Sequence, residues 1–222
     1  MNDIRIETKF LINNSSRQRY IDIIKSLPFR IKKKYELRKI NNIYLDTFNN
    51  HSLLNHLDGL NKRYKCRIRW YGNFENFSKP KLEFKIKKNQ IITKKNFELP
   101  NSSLKNFFSK KSNLIDLIIN FSKKNNFINF SKNLKISRIV CYERDYYESS
   151  DYGIRFTIDR NMQYKNWKKD TITIDSSRKI LQKNFNIIEV KHSYESKSLL
   201  PIIIKNFKLR PQSYSKFVDY RY

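Results

Sequence analysis

The stretch Arg63-Tyr64-Lys65-Cys66-Arg67-Ile68-Arg69-Trp70-Tyr71 alternates cationic with apolar residues without a break as far as Trp70. Successive side chains of a β-strand point to opposite faces. A strand here therefore carries Arg63, Lys65, Arg67 and Arg69 on one side, and Tyr64, Cys66, Ile68 and Trp70 on the other. A face made wholly of positive charge is unfavourable unless an anion or abundant water answers it.

The same parity returns along the chain. Arg5, Glu7 and Lys9 alternate with Ile4, Ile6, Phe10 and Ile12. Lys81, Glu83, Lys85 and Lys87 alternate with Leu82, Phe84 and Ile86. Arg155 and Asp159 alternate with Ile154, Phe156 and Ile158, and Glu189 and Lys191 with Ile188 and Val190. One such strand reads as half-buried antiparallel sheet with a solvated polar side. Solvent faces are usually mixed Thr, Ser, Gln and Glu, whereas these are Arg and Lys with at most one acid each. Five of them point to a shared charged surface, such as a barrel interior.

Formal net charge is +27, from 47 Lys plus Arg against 20 Asp plus Glu, which implies an anionic partner or neighbourhood. Lys, Asn and Ile are abundant throughout, as codon bias would produce, so arginines at regular parity weigh more than surface lysines. The 222 residues fit one large domain, 1–222, and 39% hydrophobic content supports a core. No apolar run approaches the ~20 residues of a membrane span. The N-terminus shows no signal-peptide pattern. Cys66 and Cys141 each fall on an apolar strand face, as small core residues in a reducing compartment do. The expectation is a soluble, cytoplasmic protein.

Strand patterns run over 4–12, 42–47, 63–71, 81–88, 91–99, 138–148, 153–159 and 186–192. Helical spacing marks 16–26, one or two helices within 103–127, and 196–207, with Pro201 in a first turn. Strands joined by short turns with few helices predict an α+β, antiparallel architecture rather than βαβ units. The helices would cover the apolar strand faces and leave the charged faces to a lumen.

Chemistry narrows by elimination. The chain has no GxGxxG, no GxxxxGK, no zinc-ligand spacing and no G-x-S-x-G. What remains is Arg, Lys, Tyr and carboxylates. That set suits polyphosphate chemistry, where catalysis is mostly positioning, charge neutralisation and a divalent metal on phosphate oxygens.

The motifs RIETKF, NIYLDTFNNHSLLNHLDGLNKRYKCRIRWYG, KLEFKIKK, YERDYYESSDYGIRFTIDRN, IIEVKHS and LRPQSYSKFVDY occur in that order over nearly the whole chain. Together they resemble the catalytic domain of the VTC (vacuolar transporter chaperone) polyphosphate polymerases, within the triphosphate tunnel metalloenzymes or CYTH superfamily. RIRWYG and RPQSYSKF are the more specific pieces. The resemblance implies an antiparallel β-barrel, the triphosphate tunnel, with a charged lumen. It implies a polymerase moving the γ-phosphoryl of ATP onto growing polyphosphate, with Mn2+ or Mg2+ as cofactor.

Position by position, Lys9 resembles the lysine closing the E-x-K element, and Arg67 and Arg69 the pair that grips nucleotide phosphates. Lys85 and Lys94 resemble basic lining residues, with Lys95 competing for the second role. Tyr142, Arg144 and Arg155 resemble phosphate contacts of the next strands. Glu189 resembles the metal-binding carboxylate, with Lys191 beside it, and Ser215 and Lys216 the C-terminal phosphate-binding pair. Glu7, Glu83 and Asp159 read equally as counter-ions or as metal ligands. Tyr142 reads equally as a core aromatic. Lys87, Lys88 and Lys165 read as solvated surface, and Asp46 as a turn cap rather than a ligand.

The fuller superfamily signature is E-x-E-x-K, and Arg5 stands where the first acid would be. That departure implies fewer metal carboxylates and a more basic tunnel than in triphosphate hydrolases. The inositol-phosphate-sensing and membrane segments of eukaryotic relatives are absent from this sequence, so the expectation is that translocation or regulation comes from separate membrane or regulatory partners or does not occur. Two other functions fit the residues: hydrolysis of triphosphate or tripolyphosphate on the same fold, and non-catalytic binding of a polyanion. Nucleic acid is the weaker polyanion, because Trp70 falls on the apolar face instead of lying free to stack on bases.

Overall fold

A computed structural model describes residues 5–89, 91–99, 116, 118–120, 134–168, 171–173 and 185–218. Nine strands are described: β1 (Arg5–Asn13), β2 (Ile31–Thr47), β3 (Lys62–Tyr71), β4 (Lys81–Lys88), β5 (Ile91–Glu98), β6 (Leu134–Ser149), β7 (Arg155–Lys168), β8 (Thr171–Thr173) and β9 (Phe185–Ser193). Three helices accompany them: α1 (Arg17–Ser26), α2 (His51–Leu57) and α3 (Leu200–Phe207). The strand order is β1-β9-β7-β6-β2-β3-β4-β5, with β8 on β7. The pairs β1–β9, β2–β3, β3–β4, β4–β5, β7–β8 and β7–β9 are all antiparallel, as the α+β reading expects. Among the described residues no hydrogen bonding joins β1 to β5, so the sheet is not closed.

The chain divides into two compact units. The first is Met1–Lys39 with Tyr142–Met162 and Leu181–Ser215; the second is Ile40–Cys141 with Gln163–Ile180 and Lys216–Tyr222.

In the first unit, the apolar faces of β1, β9 and β7 are held by Phe10, Ile188, Val190, Phe156 and Ile158, all fully buried. α1 and α3 cover them through Tyr20, Ile21, Ile24, Ile203 and Phe207. Phe207 stands edge-on to Phe10 and Tyr20, with ring centroids 5.2 and 5.8 Å away. Pro201 sits in the first turn of α3, where its missing N–H is no loss.

In the second unit, Ile43, Leu45, Cys66, Ile68, Trp70, Leu82 and Phe84 form the buried face of β2, β3 and β4. Trp70 packs with Phe74 and Phe77, and its indole N–H donates to the Phe74 carbonyl at 3.2 Å. Both cysteines are free and buried, as their parity predicts.

The strands at 81–88, 91–98 and 185–193 begin and end within a residue of the sequence pattern. Two differ. β2 begins at Ile31 rather than 42, because positions 32–37 are exposed on both faces and so show no alternation. α2 has no counterpart in the sequence reading. It is set by Asp46, whose carboxylate accepts from the Thr47, Ser52 and Leu53 N–H groups at 2.8–3.0 Å, while the Thr47 hydroxyl accepts from His51 N–H. Asp46 is thus a cap, not a metal ligand. Most of the helical segment expected within 103–127 lies outside the described residues; positions 116 and 118–120 are helical.

Candidate functional site

Register decides which side chains share a face. In the first unit, Glu7 is opposite Lys191, which is opposite Arg155; Lys9 is opposite Glu189, which is opposite Thr157. Glu7, Lys9, Arg155, Thr157, Asp159, Glu189 and Lys191 therefore lie on one side of β1, β9 and β7, away from the apolar core. Arg144 of β6 reaches the same group. Its guanidinium is bidentate to Asp159, one contact at 2.6 Å, and donates to Glu189 Oε2 at 3.1 Å. Burial would lower the Arg144 pKa, but Asp159, Tyr142 and Glu189 together raise it well above the ordinary value. Tyr142 is itself buried, its ring centroid 5.4 Å from the Arg144 guanidinium.

The remaining cations of this face are also held. Lys9 Nζ lies 3.0 Å from Glu7 Oε1 and donates to the Tyr214 carbonyl at 2.7 Å. With Gln212 N–H donating to the Lys9 carbonyl, this ties the 212–214 segment along β1 and brings Ser215 in behind it, half-buried. Lys191 Nζ sits 3.6 Å from both Glu7 and Glu189. Arg155 is more open and binds Glu148, to which Lys34 also pairs. Lys34 first, then Arg155, holds the Glu148 carboxyl below its ordinary range.

The second unit carries a different group. Asn42 and Tyr44 of β2 are opposite Arg69 and Arg67, which face Lys81 and Glu83 on β4. Lys65 is opposite Lys85, and Lys85 opposite Lys94, so three lysines stand in register across β3, β4 and β5. Lys95 pairs with Phe84 on the apolar side, so Lys94 is the lysine on the charged face. Glu83 anchors the group: Arg67 contacts it at 2.5 Å, Lys94 at 3.4 Å and Arg69 at 3.8 Å. Burial alone would push the Glu83 carboxyl up; Arg67, Arg69 and Lys94 outweigh it and hold it at about 2. Burial and the two arginines lower the Lys94 ammonium, against the pull of Glu83.

Tyr44 and Asn42 escaped the sequence reading. Tyr44 Oη accepts from Arg67 Nη1 at 3.2 Å, and Asn42 Oδ1 from Arg69 Nε at 2.9 Å. Burial would raise the Tyr44 phenol, yet Arg67, Arg69 and Lys216 bring it below its ordinary value. Lys216, 8% exposed, thereby joins this group, next to Phe217, whose ring packs 5.2 Å from that of Tyr44. The signal available was parity: Asn42 and Tyr44 alternate with Ile43 and Leu45 in N-I-Y-L-D.

A family model for the VTC domain matches residues 4–220. The chain belongs to the VTC domain family. No curated protein matches it. Among solved structures it is similar to two putative adenylate cyclases. That from Bacillus halodurans shares 14% identity at a TM-score of 0.62, over 98% of this chain and 97% of the other. That from Vibrio parahaemolyticus shares 9% at 0.55, over 97% of each chain. At such identities the likeness concerns the fold, which is the triphosphate-tunnel type that the motifs imply.

Within this VTC domain, Glu189 fits a divalent cation only in part. Its Oε2 meets both Arg144 and Lys191, and no three His, Cys, Asp or Glu among the described residues group closely enough to hold a metal. One carboxylate with phosphate oxygens completing the shell is a mode Mg2+ accepts.

Proposed function

We propose that this VTC domain is a phosphotransferase that moves the γ-phosphoryl of ATP onto the end of a polyphosphate chain. The observation that supports this most is the row Lys65–Lys85–Lys94, flanked by Arg67 and Arg69 with Glu83 as their shared acid. Like charges directly opposite in a sheet are destabilising. A polyanion along the row turns that cost into binding energy, since a charge pair at ~4 Å is worth ~1 kcal/mol in water and ~4 at an effective dielectric of 20.

In this reading Arg67, Arg69, Lys85, Lys94 and Lys216 bind phosphate oxygens in one unit. Lys9, Tyr142, Arg144, Arg155, Lys191 and Ser215 bind them in the other. A terminal oxygen of the acceptor attacks Pγ, the bond from Pγ to the β–γ bridging oxygen breaks, and ADP leaves with that electron pair. The acceptor is already anionic, so no general base is required. Glu189 is the residue that would hold Mn2+ or Mg2+, which when bound neutralises charge on the phosphate oxygens.

Purified protein incubated with labelled ATP and Mn2+ is expected to yield ADP and a ladder of growing polymer. Glu189→Gln is expected to reduce the rate at least about tenfold. Free phosphate with no polymer assigns the domain to hydrolysis, and unchanged ATP assigns it to binding alone.

A further inference from the structure

We propose that Thr157 is a further ligand-binding residue of the β1–β9–β7 face, its hydroxyl donating to an oxygen of the bound phosphate chain. Thr157 is directly opposite Glu189, on the side away from Lys9, and stands between Arg155 and Asp159 along β7. The residue is 6% exposed, and its Oγ1 is buried with no hydrogen-bond partner among the described residues. A buried hydroxyl is nearly always hydrogen-bonded, because leaving it unmade carries the full cost of its lost hydration.

The fold does not ask for that hydroxyl. Valine has the same branched shape, fits a strand as well and would leave no orphaned donor. The charged neighbours, by contrast, already hold each other: Lys9 with Glu7 and the Tyr214 carbonyl, Arg144 with Asp159 and Glu189, Lys191 with both Glu7 and Glu189. These cations can exchange a carboxylate for a phosphate oxygen. When they do, an oxygen drawn down to the Glu189 level comes within reach of the one kind of group there that gains a first hydrogen bond from it. An O–H to an anionic oxygen is among the stronger pairings.

The inference rests on the reading of this face as a polyphosphate site, and the test separates the two. The full chain, Thr157→Val and Thr157→Ser are titrated with a linear polyphosphate of defined length by calorimetry, and each is melted without ligand. Thr157→Val is expected to bind about tenfold more weakly or worse, while melting about 2 °C or more higher, because it removes a costly buried donor. Thr157→Ser is expected to bind within about twofold of the parent. If the parent binds and Thr157→Val binds equally well, the inference is overturned alone. A Thr157→Val protein that melts lower and weakens in proportion assigns the residue to packing, which also overturns it. A parent that does not bind polyphosphate overturns the underlying reading and this inference with it.

Discussion

Glu83 shows how one acid can organise a cationic face. It sits at the centre of Arg67, Arg69 and Lys94, and its carboxyl is held at about 2 against an ordinary value of 4.5. Because the folded value lies below the unfolded one, its contribution is fully present above about pH 4.5 and is lost as pH falls toward 2. The shift corresponds to something on the order of 3 kcal/mol. Glu83→Gln is therefore expected to lower the melting temperature at pH 7, with the gap to the parent closing as pH drops from 5 to about 2. A gap independent of pH contradicts this role. Glu7, Glu83 and Asp159, which the sequence reads equally as counter-ions or as metal ligands, each contact a Lys or Arg. Nothing in the letters K-K at 94–95 distinguishes the two lysines. Register does, by placing Lys95 across from Phe84.

At the scale of elements, strands whose polar and apolar residues alternate were legible and those without alternation were not. β3 buries one parity only, while β4 and β9 keep charged residues on the parity opposite their apolar ones even where both are buried, so alternation survives in the sequence. The first half of β2 is exposed on both faces and shows no alternation, whereas Asn42 and Tyr44 still alternate with Ile43 and Leu45 although both faces are buried there, so only that half was legible. α2 depends on side-chain caps from Asp46 and Thr47, a tertiary arrangement over several residues that hydrophobic spacing does not record. The in-register lysines of β3, β4 and β5 give an element-scale prediction. Lys85→Met keeps the aliphatic stem and removes one like charge from the row. It is expected to raise stability by a few tenths of a kcal/mol, up to about 1, and to weaken polyphosphate binding several-fold. Urea midpoints and calorimetric titration measure the two; a variant that loses stability while binding normally contradicts the assignment of the row to a ligand.

For the whole molecule, a net charge of +27 guarantees attraction to many polyanions, so affinity alone says little. Electrostatic binding to nucleic acid weakens steeply with salt as counterions are released. The buried, paired cations of this domain are screened less than surface charge. Trp70, fully buried among Phe74 and Phe77, offers no platform for stacking bases. No helix among the described residues is long and apolar enough to cross a membrane. The family and the tunnel-type fold were legible because the motifs keep their order across the chain, whereas the reaction was not, since synthesis, hydrolysis and binding use the same cations. The most direct measurement is a competition at physiological salt, with labelled linear polyphosphate bound to the protein and challenged by unlabelled polyphosphate or by duplex DNA. The account predicts displacement by polyphosphate at equimolar phosphate and little by the duplex; equal displacement by both would contradict it.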